Sequence, residues 1–177
     1  MIGTLDPTLQ NISLSRDLKD TFIIRRGGTE IIIQEGKLLN REILSSGTAE
    51  GIDVAMFLAA MFTKESSFYY CDEHFSYIQS DIEKRIFGIM LEQIGENEQL
   101  IFTTHNTDML DLNLPKHSYV FLRKHQEDEK YKVSAISASE VLKRNTDSLR
   151  NAVENDVFAS LPQDSLLDEL EMGWAGE

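Results

Sequence analysis

Short apolar runs separated by turn residues dominate the first quarter of the chain. Two β-rich runs, Thr21–Arg26 and Glu30–Gln34, flank Gly27-Gly28, a pair that favours a hairpin turn because glycine takes positive φ freely. A second turn at Glu35-Gly36 leads to a third short run that ends near Leu44. The pattern therefore predicts a small β-rich region in the N-terminal part.

Two later stretches place apolar residues at the spacing of an α-helix. The first spans Thr48–Phe62. The second begins at Ser80, where Ser80 and Glu83 form a capping-box pattern, and Gly95 is its expected C-terminal stop. The predicted apolar face of the first helix comprises Ile52, Ala55, Met56 and Ala59. The face of the second comprises Ile82, Ile86, Ile89, Met90 and Gln93.

Four further runs have the composition of strands. Ser67–Cys71 and Leu100–Thr103 are expected to be buried, and the lack of alternation in the first is typical of a strand covered on both faces. Ser118–Arg123 and Tyr131–Ile136 look like a strand pair joined by the charged loop HQEDE. The strand–helix–strand order between residues 67 and 123 predicts an α/β fold with a mainly parallel sheet flanked by helices. We expect residues 1–140 to form one lobe and residues 141–177 an acidic helical tail.

Charge and composition narrow the class of protein. The 177 residues suffice for one ordinary domain, and the net charge is −13, from 17 Lys+Arg against 30 Asp+Glu. That charge argues against a broad grip on a phosphate backbone, so any contact with DNA is expected to be indirect. The single cysteine, Cys71, excludes an internal disulfide framework and fits a reducing, cytoplasmic compartment. The longest apolar run, Val54–Phe62, is half of what a membrane span needs, and the N-terminal residues show no secretory signal.

Three short segments carry side chains suited to phosphate chemistry. The apolar strand FYYC runs directly into Asp72-Glu73, so both carboxylates are expected at its carboxyl end, where open parallel sheets bind ligands. Ser45-Ser46-Gly47 precedes a helix, and a helix N-terminus offers free backbone N–H groups to an anion. His105 ends a second strand in IFTTHNTD, and it is expected to face Asp72-Glu73 if the two strands are neighbours.

Each segment also has an ordinary structural explanation. An Asp-Glu pair ends many strands in a polar turn, serine is a favoured helix N-cap, and a single histidine is usually structural or solvated. The three segments taken in order form a far more specific pattern than any one of them.

That order resembles the C-terminal half of an ABC-type P-loop ATPase. LSSGT, residues 44–48, resembles the ABC signature motif in the SSGT form common in RecF-like, SMC-like and OLD-like AAA-annotated ATPases. FYYCDE, residues 68–73, resembles their Walker B motif, and HFSYIQSD, residues 74–81, lies where their D-loop lies. IFTTHNTDMLD, residues 101–111, resembles their switch-histidine segment. The resemblance covers about residues 20 to 137.

The resemblance implies ATP and Mg²⁺ as cofactors and a role for each residue that matches the Walker B and switch motifs. Asp72 would ligate Mg²⁺, and Glu73 would be the general base for the attacking water. His105 would contact the γ-phosphate. These roles agree with the chemistry of phosphoryl transfer, which needs positioning and charge stabilisation more than covalent intermediates.

The resemblance also implies that the site is completed by two protomers. The signature turn, Ser45-Ser46-Gly47, would touch the γ-phosphate of ATP bound to an opposite protomer through the Ser45 side chain and the Gly47 backbone. Within the D-loop, which we take as Ser76–Gln79, Ser76 and Gln79 would lie across the dimer interface. Gln79 stands where many relatives have Asp or His.

One part of such an ATPase is absent from this sequence. The Walker A loop, Gly-x-x-x-x-Gly-Lys-[Ser/Thr], wraps the phosphates of the nucleotide. The single Gly-Lys pair, Gly36-Lys37, is followed by Leu38, and Ile31 stands where the first glycine belongs. The sequence is then a piece of a longer ATPase, one half of a split ATPase with a Walker A-bearing partner, or a remnant.

Two functions from different classes follow. In the first, the chain is the signature and Walker B half of an ATP-hydrolysing enzyme, which is a homodimer when complete and serves DNA maintenance or phage defence. In the second, it is a non-catalytic interaction module that needs a partner chain. The missing Walker A loop favours the second, whereas the joint presence of Asp72, Glu73, His105 and the SSGT turn favours the first.

Two other kinds of site are disfavoured by the sequence. Cys71 and His74 have Cys-x-x-His spacing, and His105 would be a third zinc ligand, but Cys71 ends an apolar strand and no second ligand pair exists. No Gly-x-Ser-x-Gly elbow supports a serine triad.

Overall fold

The computed structural model describes residues 8–127, 130–144 and 147–161, and the chain divides into two compact units between Asn106 and Thr107. The strands are β1 (Gln10–Leu14), β2 (Thr21–Arg26), β3 (Thr29–Gln34), β4 (Lys37–Leu38), β5 (Phe68–Asp72), β6 (Gln99–Thr103), β7 (Val120–Glu127) and β8 (Lys130–Ser137). The helices are α1 (Ser46–Thr63), α2 (Ser80–Gln93), α3 (Ala138–Val141) and α4 (Leu149–Glu154). Short 3₁₀ helices cover Arg41–Ile43, Thr107–Asp111 and Lys116–Ser118.

The first unit begins with a four-stranded antiparallel sheet in the order β1-β2-β3-β4. The predicted hairpin is confirmed, because β2 pairs with β3 across Gly27 and Gly28, whose φ angles are 48° and 89°. Positive φ at both positions suits a two-residue hairpin turn. Strand β1 was not predicted, because Gln10–Leu14 has too few apolar residues to be recognised as a strand from the sequence.

The third predicted run is shorter than expected. β4 has two residues, and the chain then forms the 3₁₀ helix Arg41–Ile43 instead of continuing as a strand towards Leu44. The Asn40 side chain accounts for this change, because its Oδ1 accepts the Ile32 N–H at 3.0 Å and its Nδ2 donates to the Glu30 carbonyl at 2.7 Å. One side chain thus satisfies backbone groups of β3 that a longer β4 would have paired.

Helix α1 is confirmed, and it begins two residues before the predicted start. The predicted apolar face is only partly correct. Ile52 is fully buried in the core of the N-terminal sheet and Met56 packs against that core, but Ala59 is exposed. Another side of α1 reaches β5, where the Phe57 and Tyr69 rings meet edge to face at 6.0 Å between centroids. The helix therefore packs on two sheets, and a single apolar stripe does not describe its burial.

Strands β5 and β6 form a parallel pair, in register from Phe68↔Gln99 to Asp72↔Thr103. The expectation that β5 is covered on both faces is wrong. Tyr69 is 4% exposed, but Phe68 and Tyr70 are each 51% exposed. β6 is likewise only partly buried. Within the described residues the parallel sheet has two strands, and its packing partners cover one face only, so the other face stays open.

Helix α2 begins at the predicted residue but is not capped as predicted. Gln79, rather than Ser80, occupies the N-cap position, and no side chain caps the helix there. Glu83 turns away from the helix start and is buried. Gly95 does not adopt a left-handed conformation, and its N–H donates to the Glu98 carboxylate at 2.9 Å. The buried residues of α2 are Glu83, Ile86, Phe87 and Met90. Ile82 and Gln93 on the predicted face are half-buried, and Ile89 is exposed.

The second unit contains an antiparallel hairpin of β7 and β8. The predicted strand pair is confirmed, and β7 runs on through His125 and Glu127, which were expected in the connecting loop. One face of the hairpin packs on a small core in which the Phe121 and Phe158 rings stack at 4.0 Å between centroids. α3 and α4 are short, and the acidic end of the expected tail, residues 164–177, lies outside the described residues.

The fold is thus α/β, as predicted, but its sheets are not mainly parallel. Within the described residues, the one parallel pair is β5-β6, and the other two sheets are antiparallel. No helix in the described ranges combines the length and apolar character needed to cross a membrane.

Candidate functional site

The carboxyl ends of the two parallel strands bring the predicted polar residues together. Asp72 and Thr103 are paired in the register of β5 and β6, so the residues that follow them leave the sheet side by side. The sequence predicted that His105 would face Asp72-Glu73 if the strands were neighbours, and the parallel pairing provides that condition.

Thr103 connects the two strand ends through its hydroxyl group. Its Oγ1 donates to the Asp72 Oδ1 at 2.6 Å and accepts the Glu73 N–H at 3.1 Å. The same N–H also lies 3.2 Å from the Thr103 carbonyl oxygen. A hydroxyl is both donor and acceptor, so this one side chain fixes the orientation of the Asp72 carboxylate and the backbone of Glu73.

Glu73 has an unusual backbone, and its carboxylate pairs with His105. Its φ is 52°, a left-handed conformation that costs a residue with a side chain of the order of 1 kcal/mol. The Glu73 Oε1 lies 2.8 Å from the His105 Nε2, with side-chain exposures of 49% and 84% respectively. A pair this exposed contributes little to stability.

A buried carboxylate beneath the site fixes the residues on either side of His105. Glu83, which is 3% exposed, accepts from the Thr104 Oγ1 at 2.6 Å and from the Asn106 Nδ2 at 2.6 Å. Ser80 at the start of α2 also hydrogen-bonds Asn106. His105 is therefore presented on a backbone that is anchored before and after it, while its own ring is largely exposed and contacts Glu73.

These residues surround a small polar cavity of about 280 Å³. Its lining combines two carboxylates, an imidazole, three hydroxyls and an amide with two apolar side chains. The lining residues are Glu73, Phe75, Ser76, Ile78, Ser80, Glu83, Thr104, His105 and Asn106.

Two side chains near the end of β5 have raised pKa values, one because of nearby negative charge and the other because of burial. The Asp72 carboxylate raises the pKa of the Tyr70 hydroxyl. Burial raises the pKa of the Cys71 thiol to about 12, so the thiol is protonated at neutral pH. A thiol that is buried and protonated is unreactive as a nucleophile.

The signature turn forms the N-terminus of α1. Ser45 is the N-cap, and its Oγ accepts the Thr48 N–H at 3.2 Å and shares a hydrogen bond of 2.8 Å with the Thr48 hydroxyl. Ser45 and Ser46 are exposed and Gly47 is half-buried. The ordinary capping role of Ser45 is therefore present, and the exposed turn leaves room for an anion at the same helix end.

The D-loop lies between the acidic end of β5 and the signature turn. The Ser76 Oγ donates to the Glu73 carbonyl oxygen at 3.0 Å. A Cβ atom built on Gly47 would lie 3.5 Å from the Tyr77 carbonyl oxygen, so the signature turn touches this loop. The Gln79 side chain is exposed, and its backbone carbonyl oxygen accepts the Ile82 and Glu83 N–H groups of α2.

The structure thus groups the sequence-predicted residues in two sets. Asp72, Glu73 and His105 lie together at the strand ends, with Ser76 bound to the Glu73 backbone. The signature turn forms the second set and lies against Tyr77.

Sequence reasoning missed Thr103, Glu83 and Glu50 as parts of the site. Glu50 is a buried acid of α1 whose carboxylate accepts the Ser76 and Tyr77 N–H groups of the D-loop. Thr103 could have been found from the parallel register, which places it opposite Asp72. Glu50 and Glu83 could have been found as acids on the buried side of a helix, where a carboxylate requires hydrogen-bond donors.

The carboxylates at the end of β5 are oxygen donors of the kind that Mg²⁺ binds. This cation prefers oxygen ligands and usually takes only one or two protein carboxylates, with water and phosphate oxygens as the rest. Asp72 and Glu73 supply such oxygens at an exposed edge. Two carboxylates fit a cation that takes its remaining ligands from water and phosphate. Within the described residues no group of three or more His, Cys, Asp or Glu side chains is arranged to hold a metal.

The chain is similar in structure to solved proteins at low sequence identity. No family model and no curated protein matches the chain. It is similar to an SMC head bound to the C-winged helix domain of ScpA, at 17% identity and a TM-score of 0.48, over 80% of this chain and 42% of that one. It is also similar to a structure from work on ATP-driven dimerization and DNA stimulated activation of SMC ATPases. That likeness has 17% identity and a TM-score of 0.45, and it covers 80% of this chain and 81% of the other. The chain therefore spans less than half the length of the first of these proteins.

Proposed function

We propose that this chain is the signature and Walker B half of a dimeric ABC-type ATPase, which hydrolyses ATP once a Walker A-bearing half completes it. The observation that carries the proposal is the pairing of Glu73 with His105 at 2.8 Å, at the carboxyl ends of two parallel strands. A base and a phosphate-binding imidazole at that edge are what hydrolysis of a phosphoanhydride requires.

Glu73 is the proposed general base. Its left-handed backbone and its N–H bonds to Thr103 direct the side chain towards the polar cavity. A carboxylate there can orient a water molecule and accept its proton as the water attacks the terminal phosphate. His105 and a water molecule compete for the same carboxylate, because the imidazole Nε2 already contacts Glu73.

His105 is the proposed sensor of the γ-phosphate. When its ring donates to a phosphate oxygen, the weak pair with Glu73 is lost and the carboxylate becomes available to water. Because Thr104 and Asn106 are held by Glu83, the His105 ring can move without moving the strand end. The side chain thereby links the presence of the terminal phosphate to the readiness of the base.

Asp72 is the proposed ligand of Mg²⁺, with Thr103 holding its carboxylate in place. Bound Mg²⁺ would supply positive charge to the phosphate oxygens during hydrolysis. Ser45, Ser46 and Gly47 would bind the γ-phosphate of a nucleotide on the opposite protomer, and Ser76 and Gln79 would face that protomer. The complete enzyme is proposed to act in DNA maintenance or phage defence as a homodimer.

The open face of the parallel sheet supports the need for a completing half. Phe68 and Tyr70 are 51% exposed, and Ile101 on the same face is 39% exposed. Three large apolar side chains on one sheet face are suited to burial against another element. The same observation favours the second candidate, a non-catalytic module that binds a partner through this face and hydrolyses nothing.

Co-expression with a Walker A-bearing half, sought in the DNA on either side of this coding sequence, distinguishes the two candidates. In the completed enzyme, Glu73→Gln should reduce turnover by about 10²-fold or more, the usual contribution of a general base, while ATP binding is retained. Glu92→Gln is the matched control, because Glu92 is exposed on α2 away from the cavity. Normal turnover by the Glu73 variant would overturn the base assignment, and no hydrolysis by the unsubstituted complex would favour the interaction module.

A further inference from the structure

A second buried carboxylate joins helix α1 to the loop after β5. Glu50, in the second turn of α1, is 6% exposed. Its Oε1 accepts the Ser76 N–H at 3.0 Å, and its Oε2 accepts the Tyr77 N–H at 2.8 Å. Each carboxylate oxygen therefore accepts one of two consecutive backbone donors of the D-loop, and the acid is hydrogen-bonded as a buried carboxylate must be.

A second contact between the same two elements lies one turn earlier. A Cβ atom on Gly47 would lie 3.5 Å from the Tyr77 carbonyl oxygen and 4.0 Å from the Tyr77 Cβ. Gly47 and Glu50 are three residues apart, so they lie on the same side of α1. The D-loop is thus bound to the helix at two levels, by contact at Gly47 and by hydrogen bonds at Glu50.

We propose that Glu50 is a positioning residue that makes the signature turn and the D-loop one rigid surface. The hydrogen bonds between Glu50 and the D-loop are contacts within this chain. Their effect on catalysis rests on the proposed function. Both motifs are proposed to face the opposite protomer, so their relative placement determines whether the two protomers can close on a nucleotide. Glu50 fixes that placement before closure.

The other bonds of the loop show why Glu50 is needed. The Ser76 hydroxyl binds the Glu73 carbonyl oxygen, which ties the loop to β5. The Tyr77 side chain is 70% exposed, so burial of its ring does not hold the loop against α1. The two N–H bonds to Glu50 supply the polar attachment between the D-loop and the helix that carries the signature turn.

Hydrogen exchange of two backbone amides tests the link directly in the full chain without nucleotide. In Glu50→Ala, exchange at the Ser76 and Tyr77 amides should accelerate by about tenfold or more, because a hydrogen bond to a charged group is lost at each. Glu50→Gln keeps one acceptor oxygen, so it should accelerate one amide more than the other. Asp53→Asn is the matched control, since Asp53 is an acid on the same helix that pairs with Arg41 instead. Unchanged exchange at both amides in a folded Glu50→Ala protein would overturn the proposal.

Cross-linking provides a readout that general destabilisation does not reproduce. The Cβ separation of 4.0 Å between Gly47 and Tyr77 lies within the range of a disulfide. A Gly47→Cys/Tyr77→Cys protein should therefore oxidise readily, while Cys71 stays protected because it is 1% exposed. Adding Glu50→Ala should slow disulfide formation by about tenfold, because the D-loop is no longer hydrogen-bonded to α1. Adding Asp53→Asn should leave the rate unchanged. Equal rates in all three backgrounds would refute the positioning role.

Kinetic measurements on the completed enzyme distinguish failure of this inference from failure of the proposed function. If Glu50 positions the two motifs, Glu50→Ala should lower kcat while leaving the KM for ATP unchanged, and Asp53→Asn should change neither. A complex that hydrolyses no ATP would overturn the proposed function. The hydrogen-exchange and cross-linking results would still show whether Glu50 holds the D-loop against α1.

Discussion

The Thr103 hydroxyl donates a hydrogen bond of 2.6 Å to the Asp72 carboxylate and accepts the backbone N–H of Glu73 at 3.1 Å. One small side chain on β6 therefore orders the two acidic residues at the end of β5. We expect Thr103→Val, which keeps the shape and the strand preference, to lower the free energy of unfolding by about 1 kcal/mol. In the completed enzyme it should also weaken Mg²⁺-dependent turnover.

Urea denaturation measures the first effect, and turnover against Mg²⁺ concentration measures the second. Thr103→Ser is the control, because it retains the hydroxyl group. If the valine and serine variants behave alike in both measurements, Thr103 has no role in holding Asp72.

Ser45 is expected to have two separable roles. Its Oγ caps α1 by accepting the Thr48 N–H at 3.2 Å, so Ser45→Ala should cost about 1 kcal/mol of stability. Ser45→Asn should cost little, because asparagine is an equally good N-cap. Ser45→Arg should block ATP-dependent dimerisation in the completed enzyme, since a long cation would occupy the proposed γ-phosphate position.

Thermal unfolding measures the capping role, and size-exclusion chromatography with ATP measures the dimer. Dimers that form as before in a folded Ser45→Arg protein would show that the signature turn does not meet a nucleotide across an interface.

The second unit depends on one aromatic stack. Phe158 is 1% exposed, and its ring stacks on Phe121 at 4.0 Å between centroids. Phe158→Ala should lower the free energy of unfolding by about 3–5 kcal/mol, the usual cost of removing a buried aromatic ring. Val157→Ala should change it by less than about 0.5 kcal/mol, because Val157 is 49% exposed. Urea unfolding of both variants makes the comparison, and equal losses would contradict the burial of Phe158.

Stability should fall at alkaline pH through Cys71. Burial raises the pKa of its thiol to about 12 in the folded protein, against about 8.5 in an unfolded chain. The folded state therefore holds this proton more tightly. The contribution to stability is complete below about pH 8.5 and decreases as the pH rises towards 12, by at most roughly 1.4 kcal/mol per pH unit.

The measurement is the free energy of unfolding between pH 8 and pH 11, compared with Cys71→Ala. The variant lacks the thiol, so its stability should decline less steeply with pH. Parallel curves for the two proteins would show that Cys71 ionises equally easily when folded.

The sequence allowed prediction of those parts of the site that depend on local order along the chain. Asp72-Glu73 stands at the end of one strand and His105 just after another, and parallel strands end at one edge, so their meeting could be expected. The Gly27-Gly28 hairpin was predictable for the same local reason, since two glycines allow the positive φ angles that the turn needs.

What could not be predicted depends on partners distant in the sequence. Glu83 suggested a capping box, but its carboxylate binds Thr104 and Asn106, more than 20 residues away. The exposed side of β5 was missed because the apolar residues Phe68 and Tyr70 give no sign of whether an element covers them. Burial is a property of neighbours, and no periodicity within a five-residue strand specifies those neighbours.

The connections between strands have a consequence for the order in which the first unit folds. β2 and β3 meet across a two-residue turn, so their pairing requires almost no chain closure, and hairpins of this kind form within roughly 1–10 μs. β5 and β6 pair Phe68 with Gln99, and the intervening chain must first be drawn into a loop that includes α2. Because longer loops cost more entropy to close, the N-terminal sheet is expected to form first. The edge that carries Asp72, Glu73 and His105 is then assembled in a later kinetic step.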